Sequence, residues 1–508
     1  MAPKRKATQS AQSAAPAASK PAPAKKARFS NPPPPPKPVS KPKAAAKAAP
    51  AAPANVQPAD TAAPKRFIVA AGSYERLLYG LECSFEPAAA GSEKDYELTL
   101  EPIFSFPAHL SSLRTVAAST LVSPGTGSER RVGGKYLVSG GTDEVIKVWD
   151  LPRRKEVGSL EGDTTGTITC MRFVPQRNML IAASSDSSIA LYRVRDWTLL
   201  RQLKGHKGRV NAVDAHPDGR VALSVGQDKM LRMWDLVAGK SVASLRLGGE
   251  GDAVRWNTNG SKFSVICNNE LTVYGLDMSI HYQLSAKSRF HDARFCYFPL
   301  DASDSTQREY LFVACEDGKV RVFDVSNPTP VTIDEETDLS ELELPTLEPV
   351  ALLTGHTNRV KQMDLLEVAL PSPAPSSTVV LTTISSDGKI QLFDLARLTR
   401  SSPAVTGQGK GKGKAKQAAA EVVEVEPSAV FDTDKTRLTC VTAIGMVERK
   451  KKGGKAGEAD DEDSEEDSED EDDEDDGDET VDDEEFAGIE DEEEDEEEDE
   501  EEEEGEEE

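Results

Sequence analysis

The sequence predicts an all-β fold, a seven-bladed β-propeller, and two observations carry that expectation. Short alternating apolar runs rich in Val, Ile, Leu and Tyr recur between residues 66 and 446, bounded by Gly, Asp, Ser and Pro, with no sustained helical repeat. Within these runs an aromatic follows a polar turn residue by six positions. The pairs are Asp143 and Trp149, Asp186 and Tyr192, Asp228 and Trp234, Asn268 and Tyr274, Asp317 and Phe323, Asp387 and Phe393, with a degenerate copy at Ser73 and Tyr79. One interval repeated seven times implies one structural unit repeated seven times.

The elements follow in chain order. Residues 1–65 are an Ala/Pro/Lys tail that lacks the apolar surface to offset its ordering entropy, and is expected to be disordered. Phe67 to Ala71, Leu77 to Glu82 and Pro102 to Pro107 read as three strands of a first blade that lacks its inner strand. The repeated aromatics are then spaced by 70, 43, 42, 40, 49 and 70 residues. A WD repeat takes about 40–45 residues and four strands, so the long intervals imply insertions, expected near 84–96, 122–134, 331–348, 370–377 and 400–427. Trp149-Asp150 and Trp234-Asp235 are WD dipeptides, with variants at Phe323-Asp324 and Phe393-Asp394. Gly205-His206 and Gly355-His356 are the matching GH dipeptides, with a weaker one at Ala108-His109. Leu438 to Met446 lies beyond the seventh repeat. It is expected to return as the missing strand of the first blade, which removes a free sheet edge. Residues 447–508 form a basic, then acidic, disordered tail.

The residue types that suggest chemistry have a structural reading. His206, Ser224, Asp228 and Trp234 complete the pattern of one blade, and Asp143, Trp149, His356 and Asp387 repeat parts of it. Buried polar groups must pair with one another, so a satisfied chain of this kind pins a blade's geometry. A catalytic Ser-His-Asp set would not recur from blade to blade, and no catalytic residue is expected. Gly239-Lys240-Ser241 resembles the end of a phosphate loop, but Trp234 stands where its first Gly belongs and no strand-to-helix context follows. Six Cys are scattered without a CxxC pair, which fits small buried side chains in a reducing compartment. No metal or cofactor is expected. No apolar run reaches the length of about eighteen residues that a membrane helix needs, and the N-terminus lacks the apolar core of a secretory signal.

Charge is segregated. Residues 458–508 hold 40 Asp/Glu and no Lys/Arg, so the formal net charge of −29 belongs to the tail and the middle is nearly neutral. Residues 1–64 hold 11 Lys/Arg and one acid, Asp60. Two acid-free clusters there, Lys4, Arg5 and Lys6, then Lys25, Lys26 and Arg28, suit a nuclear import signal. Ser464 and Ser468 each precede an acid by three positions, as in casein-kinase-II-type sites. On the propeller register, Lys207, Arg209, Lys229, Lys319, Arg359 and Lys389 fall on loops of one face, a candidate surface for an anionic partner.

Three stretches resemble a known family more closely than WD repeats in general: FIVAAGSYERLLYGL (67–81), YLVSGGTDEVIKVWDL (136–151) and the run 203–247. With VRWNTNGSKF (254–263), they resemble the WD-repeat assembly factors of the large ribosomal subunit known in animals as PAK-interacting proteins; the fungal counterpart is named for maintenance of killer virus. The resemblance implies a nuclear and nucleolar, non-enzymatic scaffold that binds the pre-ribosomal particle through rRNA and assembly factors or ribosomal proteins. It also implies contact with a Rho-family effector kinase in animals. The acidic tail suits basic proteins, and a monomeric propeller is expected. A histone- or chromatin-binding scaffold and a negative regulator of a PAK-type kinase are the alternatives.

Overall fold

The computed structural model describes residues 63–446, except 89–94, 123–130, 300–307, 328–346, 372–376, 397 and 399–421. The expected import clusters, the 458–508 acidic run, and most of the 331–348 and 400–427 insertions lie outside the described residues. The described strands form seven antiparallel-based sheets, the blades of one propeller. Inner strands of successive blades adjoin around the ring, and that of blade seven (Val360–Ala369) meets the chain's final strand (Leu438–Gly445).

That final strand belongs to blade one. It pairs with Arg66–Ser73 in register Phe67 to Gly445 through Gly72 to Cys440, so the two ends of the ring share one sheet. Leu77–Pro87 and Tyr96–Pro107 follow outward. Both ends of the insertion expected at 84–96, Ser84 to Pro87 and Tyr96, therefore lie in strands, with 89–94 outside the described residues. Phe85, Tyr96 and Leu98 pack against Leu366, Val368 and Val380 of blade seven, and the Tyr96 hydroxyl donates to Asp394 at 2.8 Å. The insertion expected at 122–134 also contains strand. The short pair Leu121–Val122 and Arg131–Val132 extends the blade-one sheet through a parallel bridge from Val132 to Gly445. The end of the 400–427 insertion supplies Val423–Val425, a fifth strand parallel to Ala351–Leu353 in blade six. Ala429–Asp432 is the outer strand of blade seven.

The core lies in the seams between blades. Alternation along a strand sends successive side chains to opposite faces, and in the middle strands both faces are covered. Leu180 and Ala182 face blade two, while their neighbours Ile181 and Ala183 face blade four. Seven buried apolar clusters result, one at each seam. Such strands read as continuous apolar runs because neither face meets water.

Polar groups also stitch every seam near the ring axis. Thr439 donates to the Leu113 carbonyl at 2.9 Å, the Met171 amide to Thr115 at 3.0 Å, and Thr169 to the Val210 carbonyl at 2.6 Å. The Trp256 amide donates to Asp214 at 2.8 Å, and Arg255 forms an ion pair with Asp292 at 3.0 Å. The Met363 amide donates to Asp292 at 3.3 Å, and the Ala443 amide to Asp364 at 2.8 Å. Asp292, Asp364 and Arg255 are buried, so these bonds form where water does not compete.

Candidate functional site

One face of the propeller carries the turns between second and third strands and the links that enter each inner strand. Three hydrogen-bonded networks hold these loops together. In blade four, the Trp234 indole N–H donates to Ser224 Oγ at 2.8 Å. The Ser224 hydroxyl must then donate its one proton to His206 Nε2, 2.7 Å away. That leaves the proton on Nδ1, which donates to Asp228 at 2.8 Å, and the Lys207 amide donates to the same carboxylate at 3.1 Å. The link residue His206 is thereby locked to the turn residue Asp228. Burial pushes the His206 imidazole below its ordinary value against the pull of Asp228, in keeping with a neutral ring.

Blade two repeats the arrangement with Trp149, Ser139, His109 and Asp143, at 2.8 Å, 2.8 Å and 3.0 Å along the chain. Blade seven uses Thr383 in place of Ser: it lies 2.9 Å from His356 Nε2, and His356 Nδ1 is 3.2 Å from Asp387. Phe393 occupies the aromatic position there and offers no N–H. Burial acts to raise the Asp387 carboxyl. Hydrogen bonds from His356 and from the Thr357 and Lys389 amides outweigh it and bring the group down to about 2. In blade three no His is present, and the Thr165 amide caps Asp186 directly at 2.9 Å. His109, Ser139 and Thr383 were legible only weakly in the sequence. The available signal was a hydroxyl residue four positions before each turn Asp, at Ser139, Ser224 and Thr383.

Lys207, Arg209, Lys229, Lys319, Arg359 and Lys389 all lie on this face, in links or turns of blades four, six and seven. Two of them are already paired. Arg209 bonds Glu250 at 3.0 Å, and Arg359 lies 3.5 Å from Glu316. Lys319 and Lys389 are half-buried, leaving Lys207 and Lys229 as the exposed lysines of the set. Among the described residues no cluster of His, Cys, Asp or Glu could hold a metal ion.

Comparison with known proteins places this geometry. The WD domain, G-beta repeat family model matches residues 100–150, 154–193 and 197–235. The p21-activated protein kinase-interacting protein 1 of Bos taurus is 32% identical over 338 residues, which cover 66% of this chain and 72% of the relative. The chain belongs to the PAK-interacting protein family. Protein MAK11 of Saccharomyces cerevisiae, another relative, is 28% identical over 352 residues, covering 65% of this chain and 78% of its own length. The Shk1 kinase-binding protein 15 of Schizosaccharomyces pombe is 28% identical over 265 residues, covering 52% and 66%. The chain is thus a WD-repeat scaffold related to both MAK11 and the PAK-interacting proteins. Within this family frame, the His and Asp residues serve as loop ties, and the face they build is the candidate site.

Proposed function

We propose that the protein is a non-enzymatic scaffold in nucleolar assembly of the large ribosomal subunit, binding precursor rRNA and assembly proteins through the face that carries the His–Asp networks. Kinship with MAK11 carries this reading. The charge layout supports it, since a basic leading segment suits rRNA phosphates and the acidic run 458–508 suits basic ribosomal proteins. Affinity purification of the full chain at moderate salt is the test. Large-subunit precursor rRNA should co-purify. Recovery of histones without precursor rRNA would favour the chromatin scaffold instead.

The names of the relatives support a second reading, contact with a PAK-type kinase. A purified PAK-type kinase mixed with the full chain, followed by size-exclusion chromatography, separates the two readings.

A further inference from the structure

The network-bearing face carries a further group of cations besides the six the repeat pattern marks. Arg114 is the second residue of the blade-two inner strand (Leu113–Ala118), and Lys361 the second residue of the blade-seven inner strand. Arg437 immediately precedes the blade-one inner strand, and Arg76 stands in the blade-one turn. These four positions fall on three consecutive blades, seven, one and two. Among the described residues Arg114 and Lys361 make no side-chain hydrogen bond and no close ion pair, and Glu316 acts on Lys361 only at longer range. Burial pushes the Lys361 amine below its ordinary value, and Arg359, Arg114, Arg289 and Arg437 push it the same way. The cations therefore converge on one region, where Glu316, which also faces Arg359, is the one acid among the described residues shown to act on Lys361.

Apolar surface adjoins them. Leu110, in the link before the blade-two inner strand, is 87% exposed, and Tyr74, in the blade-one turn, is 53% exposed. The two are joined locally: Arg76 donates to the Leu110 carbonyl at 3.5 Å, and the Arg437 guanidinium lies 5.3 Å over the Tyr74 ring. The Tyr74 amide donates to the Arg437 carbonyl at 2.8 Å, so the turn is held against the inner strand's entry. An exposed leucine and a fixed tyrosine ringed by arginines have the make-up of an interface anchor.

We propose that this sector, built by Tyr74, Arg76, Leu110, Arg114, Lys361 and Arg437, docks an acidic peptide segment of a partner protein that carries one large apolar side chain. Charge complementarity selects an acidic ligand. Three features favour a peptide over RNA. Leu110 offers an apolar contact that a phosphodiester chain does not use. One face of Tyr74 is already covered by Arg437, which halves its value as a stacking platform. Glu75, Glu144 and Asp434 are exposed on the same rim, and they oppose a continuous phosphate backbone more than a peptide with spaced carboxylates.

The proposal rests on the scaffold reading, and its binary assay contains no ribosomal particle, so its failure leaves the assembly role to stand or fall by co-purification. The probe is a short fluorescein-labelled peptide of Asp and Glu around one Phe, titrated with the full chain by anisotropy. The Phe→Ser peptide and an oligouridylate of equal length are the comparisons. Leu110→Ser and Arg114→Glu should each weaken the Phe peptide by about ten-fold, the effect of one lost contact of typical strength. Lys240→Glu, at the start of a blade-four outer strand, should not weaken it. The Phe→Ser peptide should bind weakly and be insensitive to Leu110→Ser. No binding of the Phe peptide overturns the proposal. So does equal binding of the two peptides, and so does oligouridylate binding more tightly and depending on Arg114 but not on Leu110. Unchanged melting temperatures for Leu110→Ser and Arg114→Glu confirm that the readout is binding.

Discussion

Trp234 sets the proton pattern of a whole network through a single N–H. Its donation to Ser224 dictates the direction of every later bond down to Asp228. Trp234→Phe removes that donor while keeping most of the buried ring, as Phe393 does in blade seven. It should cost about 1–3 kcal/mol, the range for disturbing a buried polar partner. Trp234→Ala should cost about 3–5 kcal/mol. Urea unfolding midpoints of the two variants would separate the polar from the packing contribution, and a Trp234→Phe midpoint equal to that of the unsubstituted chain would refute the network's role. A pH dependence follows from the same residues. His206 and His109 titrate below the ordinary 6.5 in the folded state, with burial the main cause. As pH falls through about 6.5, the unfolded chain takes up protons before the folded one, so stability is full above that value and declines below it. Asp387 adds a second loss between its ordinary 3.8 and about 2. Melting temperature should therefore fall from pH 7 to 5, and replacing His206 with Asn should flatten that slope.

At the scale of elements, the decisive strand is Leu438–Gly445. It supplies blade one with its inner strand, and its Val441 and Ala443 amides donate to Gln362 and Asp364 of blade seven at 2.8 Å each. A chain ending at Thr436 loses the pairing with residues 67–73 and both staples together. The whole ring should lose its single cooperative thermal transition, rather than one end fraying. A truncated chain as soluble and as heat-stable as the full one would rule out closure by this strand. Asp364 tests the stitching by itself. It also lies 3.7 Å from the Arg294 guanidinium, so Asp364→Ala leaves a largely buried cation with less compensation and orphans the Ala443 amide. The expected loss is about 3–5 kcal/mol by chemical denaturation. The glycine of the blade-seven GH dipeptide shows how tightly such links are made. Gly355 sits at φ +136, and a Cβ there would come within 2.7 Å of the Gln391 side chain.

For the whole molecule, charge is divided by region. Two basic clusters, Lys4 to Lys6 and Lys25 to Arg28, lead the chain, and Arg449 to Lys452 follow the propeller. A chain starting at Lys65 with Arg449 to Lys452 neutralised should leave the nucleus, which fluorescence imaging of a tagged protein would show; an unchanged nucleolar signal would reject import by these clusters. On the face itself, Arg209 and Arg359 make surface pairs with Glu250 and Glu316 worth about 0–1 kcal/mol each. Reversing both to Glu should leave the melting temperature nearly unchanged. If blades four and seven also touch the pre-ribosomal particle, the double variant should no longer co-sediment with large-subunit precursors.

The repeat itself was legible without coordinates, because a blade's turn and aromatic are local in the chain and recur at one interval. Asp143 to Trp149 and Asp228 to Trp234 thus marked both the blade count and the networks. The closing strand was legible for a different reason: a first blade short of one strand and an apolar segment after the last repeat leave one economical solution. Only the tertiary structure decided the rest. Ser84 to Pro87 and Tyr96 read as parts of an insertion because their Gly, Ser and Pro neighbours dominate the local pattern. They become strand because Phe85, Tyr96 and Leu98 find buried partners on blade seven, nearly three hundred residues away in sequence. The seam staples, from Thr115 to Asp364, pair residues of different repeats, so no spacing within one repeat announces them. The same holds for charge. Arg209 and Arg359 resemble Arg114 and Lys361 in the sequence, and only folding gives the first two a carboxylate at ion-pair distance and the second two none that close, since ion pairing depends on distances the linear chain does not contain.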